Sequence, residues 1–241
     1  MRYGIFSDIH SNLEAFSVVL DSLKEERIER YLCIGDILGY ASDPSECIQM
    51  VKASSAVVIA GNHDYGACGE LDLEYFVPYA KEALQWTQGI LSKVELDFLG
   101  SLPLLYSEEN FILAHGTLDS PQEFCYLNNL KQADKTFSVL EKQLCFVGHT
   151  HRPGVFVERD SEIFYKNLSR LELEDNKRYI VNVGSVGQPR DGDTRACFAV
   201  YDTEAKTIEL RRVEYNFSLT QEKILRAGLP ESLAWRLAEG K

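Results

Sequence analysis

At 241 residues the chain is long enough for one large domain with a substantial core, and we expect a single unit spanning residues 1–241. Hydrophobic residues make up 45% of the chain and charged residues 26%, which argues against disorder. The formal net charge of -12 argues against a protein that coats nucleic acid, because such binding depends mainly on Lys and Arg. A small phosphate-containing target is compatible with this negative charge, provided that the protein supplies a local positive centre.

The six cysteines form no C-x-x-C pair, and three of them lie inside apolar runs, which is typical of buried thiols. The amino-terminal stretch MRYGIFSDIH has no signal-peptide core, and no apolar run approaches the roughly 20 residues of a membrane helix. We therefore expect a cytoplasmic protein that does not associate with membranes.

Five short apolar runs predict buried strands, each ending at Gly, Ser or a polar residue. In chain order they are RYGIFS, RYLCIG, SAVVIA, NFILAHG and LCFVG. Between the first two, apolar residues recur at helical spacing over residues 13–23, so the chain opens as strand, helix, strand. The spacing over residues 71–99 predicts a further helical span before the strands resume.

A second helix is predicted to begin near residue 43. Asp43 can cap it, Pro44 suits the first helical position, and Glu46 completes a capping-box arrangement. From Val155 onward, closely spaced strand-like runs with no helix between them predict antiparallel sheet. The tail from about residue 218 returns to helix, with Ser218 as the cap and Pro230 opening a final turn.

Polar residues follow the ends of the predicted strands, and they include all five histidines of the chain. They are Asp8, His10, Asp36, Asn62, His63, Asp64, His115, His149 and His151. In open α/β sheets the ligand crevice lies beyond the carboxyl ends of the strands, so these side chains should converge. Residues at i and i+2 of an extended segment point to the same side, so the two ligands of DIH, and the two of HTH, could each bind one ion or two adjacent ions. Oxygen and nitrogen donors without thiolate suit Mn, Fe, Zn, Ni or Co.

Each of these signals has an ordinary explanation when taken alone, since a lone His after a strand is usually a surface residue and GD or GNHD can be a turn. Together, FSDIH, GDILGY, GNHD, LAHG and GHTH resemble the motif series of the calcineurin-like metallophosphoesterases, from about Tyr3 to Arg190. The string NVGSVGQPRDGD is similar to the small prokaryotic phosphodiesterase branch, which includes diadenosine-tetraphosphatase-like proteins. The resemblance implies a four-layer α/β/β/α sandwich of two facing mixed sheets with a dinuclear metal centre at one sheet edge.

The resemblance also implies a ligand set shared between two divalent ions. Asp8, His10 and His151 would hold one ion, Asn62, His115 and His149 the other, and Asp36 would bridge the two. Manganese is the expected ion, with Fe, Ni, Co and Zn as alternatives. Seven side chains leave coordination positions open for water and substrate, which is typical of a catalytic site. Two ions roughly 3.5 to 4 Å apart can share a hydroxide that attacks the phosphorus, and their charge attracts an anionic ester.

Two residues beside the ligands are candidates for catalysis. By the family pattern His63 faces the substrate, where it would stabilise the phosphoryl oxygens or protonate the leaving group. Asp64 would either accept the ring proton of His63 or cap a turn.

Arg190 would either bind a phosphate or form a surface ion pair. The aromatic residues that would line a base-binding pocket, or simply pack, are Tyr40, Tyr65 and Phe124.

The sequence therefore predicts a metal-dependent phosphoesterase that acts on small phosphodiesters or nucleotide anhydrides and forms no stable complex with nucleic acid. A phosphomonoesterase or phosphoprotein phosphatase using the same site is the alternative within enzymes. A non-catalytic interaction scaffold on the same fold is the alternative outside them. The residues leave the oligomeric state and the preference among these esters open.

Overall fold

The central strands of the protein are buried along almost their whole length, because successive side chains point to opposite faces and both faces are covered. The computed structural model describes all residues, 1–241. Its strands are β1 (Arg2–Phe6), β2 (Arg30–Cys33), β3 (Val57–Val58), β4 (Leu105–Ser107), β5 (Phe111–Ala114), β6 (Leu144–Val147), β7 (Gly154–Arg159), β8 (Glu162–Lys166), β9 (Arg170–Glu172), β10 (Arg178–Asn182), β11 (Ala196–Asp202) and β12 (Thr207–Val213). The five strands that the sequence predicted before residue 150 are β1, β2, β3, β5 and β6.

Helices occupy much of the remaining chain. They are α1 (Leu13–Glu25), α2 (Pro44–Ala53), α3 (Asn62–Cys68), α4 (Pro78–Ile90), α5 (Lys93–Gly100), α6 (Leu130–Val139), α7 (Phe217–Arg226) and α8 (Glu231–Trp235). Short 3-10 turns cover residues 73–75, 121–123 and 236–239. None of the helices combines the length and the apolar character that crossing a membrane would need.

The strands form two mixed sheets of six. The first has the order β3-β2-β1-β11-β12-β9 and the second the order β4-β5-β6-β10-β7-β8. In the first sheet β1, β2 and β3 are parallel neighbours, and in the second β5, β6 and β10 are. Because parallel strands end at the same side of a sheet, the loops after β1, β2 and β3 lie together, as do those after β5 and β6.

The two sheets face each other across a shared core, with helices on their outer faces. On β6, Leu144 and Phe146 pack into the core between the sheets, whereas Cys145 and Val147 pack with Phe137 of α6 on the outside. The outer face of the first sheet is covered by apolar residues of α1 and α2. The predicted four-layer α/β/β/α sandwich is confirmed.

The strands from β7 onward pair with one another in the antiparallel manner that their spacing predicted, but they divide between the two sheets. Of these, β7, β8 and β10 belong to the second sheet and β9, β11 and β12 to the first. In addition, β10 pairs in parallel with β6. Strand periodicity predicts which face of a strand is buried but not which sheet the strand joins.

Three helix boundaries differ from the sequence predictions. The span 71–99 is not one helix, because the chain leaves α4 at Leu91 and begins α5 with a capping box between Ser92 and Glu95. Asp43 does occupy the position before α2, but its side chain makes no capping bond and instead accepts from Nζ of Lys223 at 3.1 Å. The tail helix α7 is capped by Asn216 rather than by Ser218.

Candidate metal centre

The loops that follow β1 and β2 stay paired beyond the ends of the strands. The backbone N–H of Asp8 donates to the carbonyl of Gly35, and the N–H of His10 donates to the carbonyl of Asp36, each at 3.0 Å. This pairing fixes the predicted donors Asp8, His10 and Asp36 relative to one another, because a shift of either loop would break these hydrogen bonds.

The backbone at the site is strained. Of the thirteen non-glycine residues with positive φ, seven lie in the loops after β1, β2 and β6. They are Asp8, His10, Ser11, Asp36, Tyr40, His149 and His151. Each left-handed residue of this kind costs on the order of 1–3 kcal/mol and persists only where the surroundings enforce it. The backbone of these segments is therefore not extended, as the i, i+2 expectation assumed. Asp8 and His10 nevertheless share one group of ligands, and His149 and His151 belong to two adjacent groups.

One group of donors collects four buried side chains whose ligand atoms all lie within 4.8 Å of one another. It comprises Asp8, His10, Asp36 and His151. Nδ1 of His10 lies 2.8 Å from the carbonyl of Leu38, and Nδ1 of His151 lies 2.5 Å from that of Gln188. A carbonyl can only accept, so each Nδ1 carries the ring proton and each Nε2 carries a lone pair. These two Nε2 atoms face each other at 3.0 Å, an arrangement that suits a cation between them.

A second group lies next to the first and comprises Asp36, His115 and His149. Nδ1 of His115 donates to the carbonyl of Ile34 at 2.6 Å, so its Nε2 is free to bind a metal; that atom lies 3.2 Å from Nδ1 of His149. Oδ1 of Asn62 is buried and has no hydrogen-bond partner, although a buried amide oxygen normally accepts a bond. An unpartnered oxygen beside these imidazoles fits a further metal ligand.

Asp36 belongs to both groups. Its Oδ2 lies 3.6 Å from Nε2 of His10 and 3.3 Å from Nε2 of His115, while its Oδ1 accepts from the backbone N–H of His63 at 2.8 Å. A Cβ added to Gly61 would lie 2.1 Å from that Oδ1, so the close approach of the loops depends on glycine. The structure thus places one carboxylate between two sets of imidazoles.

Burial and the two carboxylates determine the electrostatics of the candidate centre. Burial raises the pKa of the Asp8 carboxyl and lowers the pKa of His10 and His149 well below the usual value. Burial opposes protonation of His115 as well, but the carboxylates of Asp36 and Asp8 outweigh it and raise the pKa of His115 to about 9. The donor set, two carboxylates with four imidazoles and an amide oxygen, fits divalent transition-metal ions.

His63 stands beside the ligands. Its Nε2 lies 3.1 Å from the hydroxyl of Tyr40, and its Nδ1 is buried without a partner. Burial lowers the pKa of His63 to about 4, so the ring is neutral near pH 7. The side chain also lines the cavity described below, on the edge of Phe76.

Asp64 does not contact the His63 ring, so the hypothesis that it orients the imidazole is not supported by the geometry. Its carboxylate instead accepts backbone N–H groups of Asp36 at 2.8 Å, Ile37 at 2.9 Å and Gly61 at 3.0 Å. The reason is positional, since Asp64 is the third residue of α3 and turns back on the start of that helix. Asp64 therefore holds the loop of Asp36 against the loop of Asn62.

Arg190 is not in a surface ion pair. Its acidic neighbours, Asp191 and Asp193, pair with other arginines, and the Arg190 guanidinium donates to Oε1 of Gln188 at 2.7 Å and to the hydroxyl of Tyr40 at 3.2 Å. The guanidinium is partly buried and has no carboxylate partner. A guanidinium in such a position can bind an anion.

A cavity of about 630 Å³ opens beside the centre, and we call it the aromatic cavity. Asn62, His63 and His149 form its metal-centre side, and its remaining walls come from residues 71–80 and 122–126, with Tyr40. Of the three aromatic candidates, Tyr40 and Phe124 line it, whereas the Tyr65 hydroxyl donates to the carbonyl of Leu102. Tyr75, Phe76 and Tyr126 also line it, and no sequence motif marks them.

Together, the fold and the site define a class of protein: a two-sheet sandwich that brings metal-ligand side chains from both sheets to a single centre. The chain matches the family model of the calcineurin-like phosphoesterase superfamily domain over residues 1–206, and it belongs to that superfamily. It is therefore a phosphoesterase, an enzyme that hydrolyses phosphoric esters, from a family that uses divalent metals.

Similar proteins cover nearly the whole chain. An uncharacterized protein of Methanocaldococcus jannaschii is 38% identical over 99% of this chain and 98% of its own length. The crystal structure of a metallophosphoesterase from Sphaerobacter thermophilus is similar with a TM-score of 0.87 and 37% identity, covering 100% of both chains. A hypothetical protein from Pyrococcus horikoshii OT3 shares the fold, with a TM-score of 0.80 at 22% identity over 100% of this chain and 98% of its own.

Proposed function

We propose that residues 1–241 form a single domain, with a helical tail from about residue 218, that hydrolyses phosphodiester or nucleotide anhydride bonds with two divalent ions. The observation that supports this best is the pair of buried donor groups that share Asp36. In this assignment Asp8, His10 and His151 hold one ion, Asn62, His115 and His149 the other, and Asp36 bridges. Bound there, divalent ions supply Lewis acidity, which activates water as the nucleophile and neutralises charge on the phosphate.

The side chains around the ligands orient the ester. Arg190 donates to a non-bridging phosphate oxygen, a role that fits a partly buried guanidinium with no carboxylate partner. Tyr40 links Arg190 to His63, because its oxygen accepts from the guanidinium while its own proton can be donated to Nε2 of the imidazole. His63, whose ring lines the aromatic cavity, acts on the phosphoryl oxygens or on the leaving group. Asp64 acts through the backbone, as a positioning residue.

Manganese is our first choice of metal because nitrogen and oxygen donors without thiolate suit Mn, as they suit Fe, Ni, Co and Zn. The substrate is a small phosphoester, since the net charge of -12 disfavours stable binding of nucleic acid. We place the enzyme in the cytoplasm, where free buried thiols such as Cys33, Cys145 and Cys197 stay reduced.

A substrate panel tests the proposal. The purified protein is stripped with a chelator, reloaded with Mn, Ni, Co or Zn, and assayed on bis-p-nitrophenyl phosphate, p-nitrophenyl phosphate and diadenosine tetraphosphate, with Asp8→Asn as the inactive control. Metal-dependent turnover of the diester or the anhydride supports the proposal, and preference for the monoester would favour a phosphomonoesterase or phosphoprotein phosphatase. A metal-loaded protein that is inert on all three would favour the non-catalytic scaffold.

A further inference from the structure

The aromatic cavity is lined on two sides by segments outside the metal-binding motifs. One wall is the connection from α3 to α4, with Tyr75 and Phe76, and the other is the connection from β5 to α6, with Phe124 and Tyr126. Phe124 has a left-handed backbone, with φ at 48°, which is a strained conformation for a bulky residue. Strain of this kind in a loop that borders a catalytic centre is typical of a functional segment.

Two rings hold fixed positions between the centre and the cavity. The Phe76 ring lies edge-on to His63 at 5.2 Å and sits against Gly66, where an added Cβ would come within 2.9 Å of it. The Tyr126 ring stacks on His149 with centroids 4.0 Å apart and planes 11° apart. Since Tyr126 is 46% exposed, one face of its ring is covered by His149 and the rest remains available to a ligand.

The charges around the aromatic cavity restrict what it can hold. Its lining includes no Lys or Arg, and its one carboxylate outside the centre is Glu123. A chain of further phosphates in this space would meet no cation and would be repelled by Glu123. A flat, uncharged ring would stack on the exposed aromatic surface, and the polar ends of Gln122 and Glu123 suit exocyclic amino groups.

We propose that the aromatic cavity binds the base of a nucleoside ester, so that the preferred substrates are nucleoside phosphodiesters with a single phosphate rather than nucleoside polyphosphates. The inference rests on the proposed function for the position of the phosphate and on the cavity alone for the position of the base. The base contributes to binding by stacking, which is worth roughly 5- to 100-fold in affinity per base.

Paired ligands test the role of the base. Adenosine 5′-(methyl phosphate) and its base-free analogue, methyl riboside 5-(methyl phosphate), are compared as competitive inhibitors of the Mn-loaded enzyme acting on bis-p-nitrophenyl phosphate. We expect the adenosine ester to bind roughly 5- to 100-fold more tightly, and diadenosine tetraphosphate to bind more weakly than the adenosine ester. Phe76→Ala and Tyr126→Leu should each remove most of the advantage of the base, whereas Phe164→Ala, at an exposed ring on β8, should keep it.

A second measurement does not depend on turnover. Saturation-transfer NMR of the metal-free protein should detect adenosine but not ribose, and the adenosine signal should fall in Tyr126→Leu but not in Phe164→Ala. Equal affinity for the two esters, tighter binding of the tetraphosphate, or no NMR contact with adenosine would overturn the inference while leaving the phosphoesterase activity intact. Loss of turnover on every ester together with retained adenosine contact would count against the proposed function instead.

Discussion

Asp36 is the residue on which the proposed two-ion centre depends. Its Oδ2 lies within 3.6 Å of Nε2 of His10 and within 3.3 Å of Nε2 of His115, so it adjoins both donor groups. We predict that Asp36→Asn lowers the content of both metals, because an amide carries no charge to share between two cations. Metal analysis after dialysis against manganese checks this. Asp8→Asn is the control, and it should reduce mainly the ion of its own group.

Retention of one full equivalent of metal by Asp36→Asn would contradict the bridging role. Asp36→Asn is expected to fold normally, because the asparagine oxygen can still accept the backbone N–H of His63, which Asp36 accepts at 2.8 Å. Circular dichroism of the variant verifies this.

His63 is predicted to act in the reaction without binding metal. The ring has one nitrogen on Tyr40 and the other unpartnered, and it belongs to neither donor group. We expect His63→Ala to retain its metals and to lose roughly 10²- to 10⁴-fold in kcat, the usual range for acid-base assistance. Metal analysis and steady-state kinetics on one sample measure both quantities, and complete loss of metal would make His63 a ligand instead.

Arg190 is expected to position the phosphate. Replacing it by Gln removes a charge-assisted hydrogen bond, typically worth about 1.5–3 kcal/mol, so KM for the diester should rise roughly 10- to 100-fold with a smaller change in kcat. Arg195→Gln is the matched control, since Arg195 lies in the same loop, is exposed and pairs with Asp193. An unchanged KM in Arg190→Gln would indicate that Arg190 has only a structural role, through its hydrogen bond to Gln188.

Residue type and spacing were enough to predict which donors converge, because strand ends place polar residues at one side of a sheet. Asp8, Asp36 and His115 could be selected in this way. Arg190 and Tyr126 could not, since their surroundings depend on contacts between loops far apart in the sequence. The Tyr40–Arg190 hydrogen bond spans 150 positions, and no local pattern encodes it.

Among the helices, the tail helix α7 offers a direct test of a boundary. The Oδ1 of Asn216 accepts the backbone N–H of Leu219 at 3.2 Å, whereas the exposed Ser218 lies inside the first turn. We expect Asn216→Ala to lower the free energy of unfolding by about 1 kcal/mol and Ser218→Ala to change it by a few tenths at most. Urea denaturation of both variants checks this, and the reverse order of effects would restore Ser218 as the cap.

Helices and strands can be predicted from the sequence more readily than their caps and pairings. Buried strands and amphipathic helices were recognised because burial imposes periods of 2 and 3.6 residues. Caps and pairings were less accessible, since several polar residues near a helix start compete for one position. Asp43 illustrates this, because Lys223 of α7 engages its carboxylate in place of the helix amides.

At the scale of the whole molecule, the metal centre lies where the two sheets are joined by hydrogen bonds. The N–H of His149, after β6, donates to Asp8 at 3.0 Å, and the ring of His115, after β5, donates to the carbonyl of Ile34 at 2.6 Å. Each bond links a loop of one sheet to a loop of the other. The donors of the candidate centre therefore come from loops of both sheets. Cations that neutralise the charge of these donors should also stabilise the packing of the two sheets.

Removing the metals should consequently destabilise the entire fold. Without cations, the charge of the two buried carboxylates is offset only in part by His115, whose pKa they raise to about 9. A ligand present at 100 times its Kd stabilises the folded state by about 2.7 kcal/mol. For a chain of this size we expect chelation to lower Tm by roughly 5 to 10 °C, and added manganese to restore it. Differential scanning fluorimetry measures the shift, and Asp36→Asn, which should bind little metal, should show almost none. An equal shift in that variant would mean that the chelator acts elsewhere than at the centre.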